Sequence, residues 1–298
     1  MLYKEWENEK RTLHLLTQML GKYKVALAHQ EPQWEHIILD ITVQGVSTGL
    51  LTHKGESFSL SINLIHHQIE IVTTERMLTI PLKDGVTIKE YYHLLQKHLQ
   101  EVGIDIPINT RPQEMDTTTP FEEDTEHHHY DADRSKKVLS YFKLAHSVET
   151  TFLAPLRARK IKPGLFWGTF DVSCALVYNE HQPFPDDSKV IERAAFDEPM
   201  IEFGFWFGDD NFSGPTFFVL GYPFPTITFE CEPPFPDGSY FDETLMEFIL
   251  ELEDVEGETA TKIVNFFDQS YRMLKDYLDW ENCDHYHLPL KMKENHQD

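Results

Sequence analysis

Cysteine is scarce in this chain: Cys174, Cys231 and Cys283 are the only three among 298 residues. An odd count without close spacing excludes the disulfide frameworks that staple small secreted domains, and no Cys-x-x-Cys pair offers half of a zinc knuckle. Long apolar runs are missing as well. None approaches the roughly 20 residues that a helix needs to cross a bilayer. The first ten residues are charged and carry no apolar signal core, so a soluble protein of the cytoplasm is expected. Basic charge is in deficit, with 26 Lys and Arg against 50 Asp and Glu and a net charge of −24. Phosphate backbones and anionic bilayers are held by clustered Lys and Arg, so neither nucleic acid nor a membrane is an expected partner. There is no phosphate-binding Gly-x-x-x-x-Gly-Lys loop and no Gly-x-Gly-x-x-Gly turn.

What is present is apolar side chain: 41% of residues are hydrophobic and 13% aromatic, enough to build a core despite the charge. Trp6, Leu13, Leu16, Leu20, Tyr23 and Leu27 recur at helical spacing, which predicts an amphipathic helix over residues 5–28. The runs His36–Val43, Ser57–Leu64, Gln68–Thr73 and Met77–Leu82 alternate or are β-branched, and read as an antiparallel meander. A second helix is predicted over Thr87–Val102, where Thr87 and Glu90 have capping-box spacing. Pro112 and Pro120 interrupt residues 111–133, which read as a crossing segment. Beyond it the pattern predicts a helix over Arg134–Arg159 capped by Asp131 or Asp133, strands at Leu165–Tyr178, Met200–Phe207, Thr216–Tyr222 and Leu245–Leu252, a helix over Glu258–Trp280, and a polar tail from 283. The expected class is α+β: two helix–antiparallel-strands–helix halves, 1–110 and 134–282, with one shared core or two left open.

Three places carry candidate chemistry. His14, Gln18 and Lys22 fall at i, i+4 and i+8 beside Gly21, so they share one helix face, either a polar strip entering a cleft or a solvated surface. The segment 120–133 holds His127, His128 and His129 among carboxylates. An extended chain puts only His127 and His129 on one side, and a helix pairs only Asp124 with His127, whereas zinc asks for three or four ligands. No metal is expected there. In the strand 165–178, Trp167, Thr169, Asp171 and Ser173 alternate with Phe166, Phe170, Val172 and Cys174, and in 200–207 Glu202, Gly204 and Trp206 alternate with Ile201, Phe203 and Phe205. If the strands are neighbours, Asp171 and Glu202 pair inside an aromatic-walled pocket. The alternative is a second packed layer.

These segments together resemble an uncharacterised bacterial family known as domain of unknown function 5996. Thr12, His14, Gln18, Gly21 and Lys22 match its helix; Pro120, Phe121, Asp124, His127, Tyr130 and Asp131 match a second motif; Phe166 to Asp171, Gly204-Phe-Trp206 and Tyr222-Pro-x-Pro225 match three more. The resemblance spans nearly the whole chain and brings no established activity. It implies that the marked positions converge. The expected function is binding of a small, uncharged or cationic ligand in an aromatic and acidic cleft lined by Gln18, Lys22, Asp124, Tyr130, Trp167, Glu202 and Trp206. One alternative is a hydrolase-like enzyme in the same cleft, with His127 or His14 as base and Asp171 orienting it or acting as acid. The other is an interaction module that docks a partner through the aromatic loop Phe224–Phe235. The sequence names neither a cofactor nor an oligomeric state.

Overall fold

The first helix, α1 (Glu7–Leu27), has no solvated face along its middle: every residue from Thr12 to Tyr23 is buried. The apolar repeat alone does not demand this. The helix is enclosed because its polar residues find partners inside the protein. The computed structural model describes residues 1–252 and 258–285, and it is an α+β protein. After α1 and a 3-10 turn (Pro32–Ile37) come β1 (Asp40–Ile41), β2 (Gly45–Ser47), β3 (Leu51–His53), β4 (Glu56–Asn63), β5 (Gln68–Thr73), β6 (Met77–Pro81) and α2 (Ile88–Glu101). The strands form an antiparallel sheet in the order β1-β2-β4-β5-β6, with β3 also pairing β4. Thr87 caps α2 as its sequence predicts: its hydroxyl accepts from the Glu90 amide at 3.2 Å and the Glu90 carboxylate accepts from the Thr87 amide at 2.9 Å.

The rest of the chain supplies α3 (Ala132–Leu153), β7 (Arg159–Phe166), β8 (Asp171–Val177), α4 (Val190–Ala195), β9 (Met200–Trp206), β10 (Thr216–Tyr222), β11 (Ser239–Asp242), β12 (Glu247–Glu251) and α5 (Thr259–Tyr277). These strands make a second antiparallel sheet in the order β11-β12-β10-β9-β8-β7. Helices α3 and α5 cover its inner face. The sheets are tied together where Leu39 and Leu165 exchange backbone hydrogen bonds of 3.0 and 2.9 Å. One buried apolar cluster runs through both sheets, from Leu60 and Ile71 to Phe203 and Phe248. No helix among the described residues is long and apolar enough to cross a membrane.

Several local readings of the sequence change. Of the run His36–Val43, the first two residues end the 3-10 turn and only Asp40 and Ile41 are strand. The third helix ends at Leu153, and Arg159 already begins β7. The single strand expected over Leu165–Tyr178 is a hairpin: Phe170 takes a left-handed φ of 67° and its amide donates to Phe166 O at 2.8 Å, closing the chain over Trp167–Thr169. A phenylalanine pays for that conformation with its ring, which is buried against Phe142 and Phe207. Strands β3 and β11 and helix α4 fall in segments with no clear period. Of the loop expected to dock a partner, Phe224 is exposed, but Phe229 and Phe235 turn inward and pack on Phe248. The polar tail is described only to His285; the remainder lies outside the described residues.

Candidate functional site

Strand alternation gives the second sheet two chemistries. Pairing places Ser173 opposite Gly204, Ala175 opposite Glu202, Leu220 opposite Glu202 and Glu247 opposite Leu220. Asp171, Ser173, Glu202, Trp206 and Glu247 therefore share the outer face. The Asp171 carboxylate is buried and accepts from the hydroxyls of Thr169 and Ser173. Burial raises its pKa. Burial, then the charges of Asp171 and Glu247, push Glu202 up to about 8. Burial, then Asp242 and Asp171, push Glu247 up to about 7. Desolvated carboxyls that raise one another's pKa cannot all ionise freely, so the face holds protons near neutral pH.

Two cavities open on this face. One, of about 370 Å³, is walled by Trp34, Ile37, Ile161, Phe166, Trp167 and Phe196, with Gln33, Gln113 and Glu192 as polar points. The Trp34 indole donates to Ile191 O at 3.0 Å, joining the 3-10 turn to α4 beside this cavity. The other, of about 610 Å³, is lined by Lys10, Arg11, His14, Asp171, Trp206 and Glu247 among others. Glu114, Thr169 and Glu202 line both, so the cavities meet at these three residues.

The polar strip of α1 builds this junction and is no solvated face: Gln18 is fully buried, and His14 and Lys22 nearly so. His14 Nε2 lies 2.9 Å from both Trp167 O and Gly168 O. Two carbonyls can only accept, so Nε2 carries the hydrogen, and burial pushes the imidazole pKa down to about 4, which keeps it neutral. Gln18 clamps the backbone of Gln113 at both ends, accepting from its amide at 2.9 Å and donating to its carbonyl at 2.7 Å. Lys22 donates to Gln113 Oε1 at 2.6 Å and lies 5.6 Å from the Trp167 ring centroid; burial lowers its pKa to about 8. Gly21 is the seat of that ring, since a Cβ there would fall 2.2 Å from Trp167 carbons. The Trp167 indole donates to Ile37 O at 3.0 Å.

Held by these clamps, the next residue, Glu114, adopts a left-handed φ of 53°. Such a conformation costs a non-glycine residue on the order of 1 kcal/mol and persists only where its surroundings impose it. Its carboxylate rests against Gly168, where a Cβ would lie 2.0 Å from Oε2. Burial and then the Asp171 charge raise its pKa.

The second marked segment goes elsewhere. Asp124 binds the His127 ring at 2.8 Å through Oδ2 and accepts the Glu126 and His127 amides at 3.0 and 3.1 Å through Oδ1. Burial opposes ionisation of this carboxylate, but the His127 hydrogen bonds outweigh it and lower its pKa. The main-chain oxygens of Asp124 and His127 accept from Lys89 and Ile88 at the start of α2, at 2.9 and 3.0 Å. Tyr130 OH meets His67 Nδ1 at 2.8 Å, and Asp131 caps α3 by accepting from Arg134 N at 2.8 Å. Asp124, His127 and Tyr130 line neither cavity. The structure thus brings His14, Trp167, Asp171, Glu202 and Trp206 to the cavity walls, buries Gln18 and Lys22 behind them as clamps on Gln113 that line neither chamber, and sets Asp124, His127 and Tyr130 in a strap between α2 and α3. Among the described residues, no group of three or more His, Cys, Asp or Glu is arranged to hold a metal.

Glu114, Glu247 and Lys10 join the cleft without having been anticipated. Glu247 alternates with Ile249 against Phe248 and Leu250, a signal of the same kind that marked Glu202. Glu114 sits in an aperiodic segment and has none. Gly45-Val-Ser47-Thr-Gly49 has the spacing of a nucleophile elbow, yet Ser47 lies on β2, which pairs antiparallel with β4 and leads into β3 rather than into a helix.

The fold and the cleft define an α+β protein with a two-chambered, carboxylate-floored cavity on the outer face of its second sheet. The chain belongs to a family of unknown function, DUF5996, whose model matches residues 1–285. No curated protein and no solved structure matches it.

Proposed function

We propose that this protein binds a small organic cation bearing an apolar group. The observation that carries this reading is the junction of Glu114, Thr169 and Glu202, where an aromatic chamber opens into one floored by Asp171, Glu202 and Glu247. Both chambers fall in the range of small-molecule pockets, about 300–1,000 Å³. Carboxyls whose pKa values are raised by burial gain a partner when an ammonium displaces their protons, and the apolar substituent fills the smaller chamber. The test is isothermal titration at pH 8 with primary amines of increasing alkyl or arylalkyl length. Affinity is expected to rise with the apolar tail and to fall about tenfold or more in Glu202→Gln, the scale of a lost charge-assisted contact. Absence of binding by every amine, or binding indifferent to Glu202→Gln, would sink the proposal.

A hydrolytic reading has one observation in its favour: Asp171 and Glu202 are neighbouring carboxyls, of which Glu202 holds a proton near neutral pH, as a general acid does. In that case the acid–base pair is Asp171 and Glu202. His14 already gives its Nε2 hydrogen to two carbonyls, and His127 lines neither chamber.

A further inference from the structure

Helix α1 brings one more charge to the larger chamber. Lys10 lines it together with Asp171, Glu202 and Glu247. Its ammonium donates to Gly208 O at 2.6 Å and lies 4.7 Å from the Tyr3 ring centroid. Among the described residues, no carboxylate comes within 4.0 Å of it. The acids that reach it do so at longer range and have other partners. Asp209 accepts the Asn211 and Phe212 amides at 2.7 and 3.0 Å. Glu7 is paired with Lys4 and Arg11, and Asp210 with Lys4. Arg11, on the same wall, is engaged by Glu7 at 3.1 Å and Asp116 at 3.6 Å. An ammonium has three donors, so Lys10 keeps donor capacity that the described protein groups leave unused. This is notable in a chain where acids outnumber bases 50 to 26. Burial lowers its pKa only to about 8, so it is charged at pH 7.

We infer that Lys10 receives the carboxylate of an amino acid ligand, whose ammonium lies at the Glu202 side of the same chamber and whose apolar group enters the aromatic one. The inference rests on the cation-binding reading above and adds a second, opposite charge to the ligand. A chamber carrying a lysine and several carboxyls discriminates a zwitterion from a simple amine, because the amine leaves a desolvated ammonium uncompensated.

The experiment is isothermal titration at pH 7 with matched pairs: phenylalanine and phenethylamine, leucine and isoamylamine, and ω-amino acids beside alkylamines of equal length. In the wild-type protein at least one amino acid is expected to bind about tenfold tighter than its amine. Lys10→Met is expected to erase that difference by weakening the amino acid and strengthening the amine, which no longer faces an uncompensated ammonium, and Lys10→Arg to restore it. If amines bind at least as tightly as every amino acid, or if Lys10→Met weakens both alike, the role of Lys10 is overturned and the cation site stands. If neither class binds, the cation site falls with it.

Discussion

Glu202 and Phe203 are adjacent in sequence and stand on opposite sides of one sheet. Phe203 is fully buried beneath α3 and α5, its ring centroid 4.5 Å from that of Phe152 and 5.3 Å from that of Phe267. Glu202 is half-buried and faces the cleft. The inner face is closed by interlocking rings; the outer face is left open between α1, α4 and the crossing segment. The difference teaches that strand alternation can put a dry core and a proton-holding surface one residue apart, because each side is decided by what covers it. The inner side is not wholly apolar. Glu149 on α3 is fully buried beside the Cys174 thiol, and burial, then the charges of Asp171 and Glu202, pushes its carboxyl well above the ordinary range.

The contrast can be broken most severely from inside. Phe203→Ala is expected to cost about 3–5 kcal/mol in urea denaturation, as a large core ring lost to a cavity does. A smaller effect is expected where α1 meets the cleft. Gly21→Ala gains roughly 1 kcal/mol in helix propensity, but its Cβ overlaps the Trp167 ring and overpacking costs about 1–3 kcal/mol. A net loss with an altered tryptophan emission spectrum is expected, and a stabilised protein with unchanged emission would show that the ring is loosely held.

On the outer face the expected effect depends on pH. Glu202 and Glu247 have folded-state pKa values of about 8 and about 7, against an ordinary 4.5. The folded protein therefore binds more protons than the unfolded chain between about pH 4.5 and 8, and stability falls as pH rises through that window. Urea midpoints measured at pH 5, 6.5 and 8 are expected to decline in the wild-type protein and to decline less in Glu202→Gln. Equal slopes would place the proton uptake elsewhere.

Much of the frame was legible in residue patterns. Periodicity located α1, α2, α5 and the strands β9 and β10 to within a few residues, and the Thr87–Glu90 box gave the start of α2. The hairpin β7–β8 was not legible, since a Phe in a left-handed turn contradicts local preference and is stabilised only by the aromatic core around it. The motif from Pro120 to Asp131 was conspicuous, but its residues serve local hydrogen bonds that read from sequence as readily as a site does. Glu114 had no signal, because its position depends on Gln18 and Lys22 gripping Gln113 from a helix some 90 residues earlier.

By itself, then, the sequence determined the α+β class, the alternation that separates Glu202 from Phe203, and the face that joins His14, Gln18 and Lys22. These follow from the fixed periods of strands and helices, which any local stretch of chain obeys. Tertiary structure alone decided that the α1 strip is buried, that it grips the crossing segment, and that Glu114, Lys10 and Glu247 meet Asp171 and Glu202 around one cavity. Those outcomes depend on which distant segments satisfy each buried polar group, and no local period encodes that choice.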